Sequence, residues 1–142
     1  MKQIYFYLLL FISAGLVIYT GCDSTTVESI DSKTIPSSNV SYLNHIQPVF
    51  NIKCAVEGCH DVENRAGGLA LTTWSATTDD QTIVFPGDPT TSRLVWVIDA
   101  NYGSTTPMPP INSGIPTLTD NQIEGIKTWI KEGAKTIKKP QY

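Results

Sequence analysis

The sequence predicts an all-α domain in which a helix near each end encloses a long, loop-rich middle. Three observations lead there. Apolar residues recur at intervals of three and four after Ser41 and again after Thr119, and about 45 residues between them, Arg65 to Pro110, are crowded with Gly, Pro, Ser and Thr. So long a loop region is anomalous in a self-supporting domain, but makes sense wrapped around a large apolar cofactor.

The chain opens with MKQIYFYLLLFISAGLVIYTGC: one positive charge at Lys2, an apolar run, then small residues before Cys22. This reads as a secretory signal peptide over residues 1–21. Thr20-Gly21-Cys22 resembles the lipobox of bacterial lipoproteins, which implies that Cys22 is acylated and becomes the mature N-terminus. Acyl-chain CH₂ groups, each contributing about 0.8 kcal/mol when buried, would hold the protein on a membrane surface. Asp23 to Asn39 has eight Ser or Thr in seventeen residues and only three scattered aliphatics. On that composition residues 22–39 form a flexible tether spanning roughly 20–25 Å. From residue 40 to 139 the composition turns globular, and one domain is expected.

Removing the leader takes one of the 10 basic residues and none of the 13 acidic ones, so the formal charge moves from −3 to −4. Nucleic acid is excluded as a partner, because phosphate binding needs clustered Lys and Arg. Basic protein surfaces are left open.

In the first helix Tyr42, Ile46, Val49, Phe50 and Lys53 share a face, with Ser41 as N-cap and a kink or fresh start at Pro48. A short helix from Ser92 to Ile98 should turn Leu94, Val95 and Ile98 inward, capped by Ser92 or Thr91. In the last helix Thr119 and Gln122 form a capping box, Ile123, Ile126 and Ile130 give the inner face, broadened by Trp129, and Gly133 ends the helix.

The chemistry concentrates in KCAVEGCHDV, residues 53 to 62. In an oxidising compartment, with Cys22 carrying lipid, Cys54 and Cys59 should be bonded to each other or to something else. In c-type cytochromes two cysteine thiols add across the haem vinyl groups and the histidine after the second ligates the iron, usually as C-x-x-C-H. Here Cys59 and His60 are adjacent, and the longer step from Cys54 can loop outward with Gly58 easing the turn. A Cys54–Cys59 disulfide is the competing reading. A zinc site is a third, with no evident fourth ligand. Met108 is the sole methionine after the leader and stands among Pro107, Pro109 and Pro110, a stiff setting that can hold a thioether toward an iron.

The order IQPVFxxxCxxxxCH, GLAL, VFPGDPTTSRL, MPP and LTxxQIxxIxxWIxxGA resembles planctomycete-type and related bacterial single-haem cytochrome c domains, across residues 42–134. The resemblance implies a class I cytochrome c-like fold, end helices packed together and loops wrapping one covalently attached haem c. By position, Cys54 and Cys59 would attach the haem, His60 would be the proximal iron ligand and Met108 the distal one. His45 is the rival sixth ligand, Arg93 a candidate propionate contact, and Pro86 a candidate carbonyl for the His60 ring. Trp74, Trp96 and Trp129 are expected to pack against the haem or each other. The implied activity is single-electron transfer between redox proteins at a membrane on the extracytoplasmic side, not enzyme catalysis, because both axial positions are filled. A haem enzyme or sensor would require a labile Met108. A non-haem binding or structural lipoprotein with the disulfide is the alternative.

Overall fold

A computed structural model describes residues 30–136, all helix, turn and loop with no strand among them. The leader, Cys22 and residues 23–29 of the expected tether lie outside the described residues. The first helical segment begins as a π-helical turn, Tyr42–Ile46, and continues as α1, Gln47–Lys53. Ser41 caps it as expected: its hydroxyl accepts the Asn44 N–H, while its own N–H donates to His45 Nδ1 at 3.0 Å. Pro48 sits in the first turn of α1, where its missing N–H disrupts nothing.

Helix α2, Trp74–Thr78, is capped by Thr73 and was not legible from periodicity, being little more than a turn long. Helix α3, Arg93–Ile98, buries Leu94, Val95 and Ile98 as predicted. Ser92 precedes it, but its hydroxyl makes no cap: it accepts the Phe85 N–H and donates to the Asp88 carbonyl, both at 2.9 Å, pinning the preceding loop. Helix α4, Asp120–Lys131, carries the full Thr119–Gln122 capping box, and Gly133, at φ +95°, ends it.

The core forms where the first segment meets α4. Tyr42 lies against Trp129 with ring centroids 5.2 Å apart and edge-on to Phe50 at 6.2 Å. Ile46, Phe50, Ile126, Trp129 and Ile130 are all fully buried there. Each large apolar side chain so buried contributes about 1.5–3 kcal/mol. Burial pushes the Tyr42 hydroxyl up to about 12, so it stays protonated and shares a 2.8 Å hydrogen bond with Thr77 on α2. Lys127 on α4 reaches the buried Asp99 carboxylate after α3 at 2.5 Å, and hydrogen bonding to that ammonium holds Asp99 below the usual carboxylate range.

Residues 30–39 depart from the tether reading. Ile30 and Ile35 are buried and the segment runs as a strap over α4. Asn121 clasps Ile35 in both directions, accepting its N–H at 2.8 Å and donating to its carbonyl at 3.1 Å. Glu132 accepts the N–H groups of Asn39 and Val40, and Gln122 donates to the Ile30 carbonyl and the Asp31 carboxylate. Two isoleucines suffice because α4 supplies the polar partners that the strap backbone would otherwise lose on leaving water.

Gly125 is where the strap comes closest: a Cβ there would lie 2.5 Å from Ile35 Cγ2 and 2.9 Å from its Cβ. Gly125→Ala should gain about 1 kcal/mol of helix propensity yet lose more to overpacking, typically about 1–3 kcal/mol. A lower urea midpoint is expected, restored in part by Ile35→Ala. A midpoint at or above that of the parent would refute this account.

Candidate functional site

His60 is held on three sides. Its N–H donates to the Cys54 carbonyl at 3.1 Å and its carbonyl accepts the Leu71 N–H at 2.9 Å. Its ring Nδ1 lies 3.2 Å from the Leu69 carbonyl. A carbonyl can only accept, so Nδ1 carries the proton and Nε2 is left with a free lone pair. The carbonyl comes from Leu69 and not from Pro86, which is exposed in a turn before α3. Gly67 and Gly68, at φ +65° and +81°, turn the chain so that Leu69 and Leu71 can bracket His60. That pair of glycines was the available signal; which carbonyl they deliver is a matter of backbone path.

The Cys54-to-Cys59 step is a closed loop, not slack. Gly58 takes φ +82°, and its N–H donates to Asp61 Oδ2 at 2.9 Å. Asp61 Oδ1 also accepts the backbone N–H groups of Glu63 and Asn64. Hydrogen bonds from Asn64, first backbone and then side chain, hold the Asp61 carboxyl below its usual range. Gln47 steadies the other side, donating from its amide to the Leu71 carbonyl at 3.0 Å. Both cysteines are free thiols, Cys54 buried and Cys59 half-buried. Burial pushes the Cys54 thiol up to about 12, opposed by the neighbouring Lys53 ammonium.

Met108 joins Cys54 and His60 from 48 positions beyond His60 to line one cavity of about 250 Å³ whose walls include Leu69, Leu94, Val97 and Ile98. An adjoining cavity of about 180 Å³ shares Cys54, His60 and Met108 and adds Cys59, Lys53 and Pro110. Met108 is placed by its backbone, its N–H donating to the Val97 carbonyl at 2.8 Å just as α3 ends. Arg93 lines the first cavity as an exposed residue at the start of α3.

Other candidates are elsewhere. His45 lines a separate cavity under the strap with Ile30, Lys33 and Pro48, and its ring accepts the Ser41 N–H. None of Trp74, Trp96 and Trp129 is among the residues lining the first two cavities. Their indole N–H groups donate instead to the carbonyls of Ala134, Thr90 and Lys135, tying down loops.

The cavity suits haem: aliphatic walls, one imidazole with a free Nε2, one thioether, and two unpaired thiols at its edge. Among the described residues no three His, Cys, Asp or Glu side chains gather closely enough to hold a metal ion directly. A family model described as Planctomycete cytochrome C matches residues 57–112, a span that holds Cys59, His60, Arg93 and Met108 and begins just after Cys54. No curated protein and no solved structure matches the chain. Over residues 57–112 the chain is therefore similar to cytochrome c domains of the planctomycete type.

Proposed function

We propose that the protein is a single-haem c-type cytochrome, exported and lipid-anchored at Cys22, that passes single electrons between redox proteins at a membrane surface. The observation that carries this reading is the pair of adjoining apolar cavities that Cys54, His60 and Met108 both line, with Cys59 in the second. Haem c supplies a one-electron iron couple when bound. The chain's own residues do the rest. Cys54 and Cys59 would hold the group by thioether bonds, and His60, with its proton kept on Nδ1 by the Leu69 carbonyl, would offer Nε2 to the iron. Met108 would offer its sulfur to the same iron. With both positions filled by protein, no site is open for a substrate, which favours a carrier over an enzyme. Leu69, Leu94, Val97 and Ile98 keep water from the cavity, and Arg93 is placed at its rim to meet a propionate.

The extracytoplasmic setting accords with the signal-like leader and with covalent haem. Among the described residues no helix is long and apolar enough to cross a membrane. The acidic balance would steer the protein to basic patches on its redox partners, acting on rate more than affinity.

Exported protein should retain haem stain on a denaturing gel, give a haem c pyridine haemochrome, and in its ferrous form leave carbon monoxide unbound. A colourless protein with a 54–59 disulfide in its mass spectrum would sink the reading. Ready carbon monoxide binding would instead turn a carrier into a sensor or enzyme.

A further inference from the structure

Lys53 is the one charged side chain in the protein's described core that is fully buried, its side chain 0% exposed. It occupies a position on the inner face of α1 where an aliphatic residue would satisfy the helical spacing. A lysine is almost never so buried unless paired, and a buried ion pair is weak support for stability compared with a well-packed apolar side chain. Its Nζ lies 2.6 Å from Asp31 Oδ1 on the strap and donates to the Thr117 carbonyl at 2.7 Å. It also lines the cavity edge together with Cys54, Cys59, His60 and Met108. The ammonium is thus a dehydrated cation in the wall of the redox cavity.

We propose, taking those four residues to hold haem as above, that Lys53 and Asp31 are an opposed pair of positioning charges that set the reduction potential. An electron arriving from a redox partner adds one negative charge to the haem. A cation in the wall favours that state, and water does little to screen it, since none of its side chain is exposed. Asp31 opposes it incompletely, because its carboxylate is 30% exposed and therefore partly solvated. Lys53 adjoins Cys54 and lines the same cavity edge, so its field acts at the attachment site.

The two members must then act with opposite sign. Lys53→Met should lower the ratio of reduced to oxidised protein at a fixed poise, and Asp31→Asn should raise it, each about three- to tenfold, tenfold being 59 mV for a one-electron couple. Lys53→Arg should stay near the parent. The visible bands of the Asp31 and Lys53 variants should be unchanged, since the ligands are untouched. A merely structural clasp predicts something else: both variants lower the urea midpoint, while the potential shifts in the same direction in both or not at all, and that result overturns the proposal. Should Lys53→Met fail to fold, Asp31→Asn decides by sign, because Gln122 still reaches that side chain; an unchanged or lowered potential refutes the pair. A colourless parent would overturn the haem reading and this pair with it, whereas a haem protein with unmoved potentials overturns the pair alone.

Discussion

Met108→Ala is expected to leave the haem attached while lowering the reduction potential by on the order of 100 mV or more, a modest part of the roughly 0.8 V that axial ligands command. The thioether sulfur is a soft ligand that favours the reduced iron, and alanine offers nothing in its place. The backbone should not move much, since the hydrogen bond from the Met108 N–H to the Val97 carbonyl survives the substitution. Carbon monoxide or cyanide should now bind, and any red-absorbing band characteristic of sulfur ligation should vanish. His45→Ala should do none of this, because that ring lies under the strap and serves the Ser41 cap. Equilibrium redox titration and ligand-binding spectra separate the outcomes. If the Met108 variant keeps spectrum and potential while the His45 variant loses both, the distal ligand is His45.

Removing the two attachment sulfurs should have the larger effect on the gel. Cys54→Ala and Cys59→Ala should each keep one thioether and hence reduced haem stain, while the double variant should lose all stain after denaturation. The singles should differ in stability. Cys54 is buried in the core cluster, so its truncation leaves a gap, whereas half-exposed Cys59 sits in a turn that water can fill. Equal staining of the double variant and the parent would show that the haem is not held through these cysteines.

The end helices were readable because their signals are local: a capping box at Thr119 and Gln122, apolar residues at helical spacing, and a glycine stop. The juxtaposition of Cys59 and His60 was readable for the same reason. The strap was not, since what makes Ile30 and Ile35 worth burying is a set of amide and carboxylate side chains on α4 some 86 to 93 positions away. Composition near Ile30 looks like that of a tether because half of its structure is written elsewhere. The Leu69 carbonyl is not legible for a different reason: a backbone atom carries no residue-type signal, and the turn at Pro86 offers the same kind of acceptor. The hydrogen bonds of the tryptophans are not legible either, since aromatic size suggests ring packing, as Trp129 has with Tyr42, but not the loop carbonyl that each indole N–H reaches.

The strap also imposes an order in time. Its docking partners are made last, with 92 positions separating Ile30 from Gln122, and contacts of such separation form slowly compared with a local helix. While the strap is loose, Asp31 is absent from Lys53 and the ammonium lacks its charged partner. Once docking is complete the Lys53 ammonium is enclosed, held by Asp31 and by the Thr117 carbonyl. The charge balance beside Lys53 is therefore completed only when the strap closes on α4.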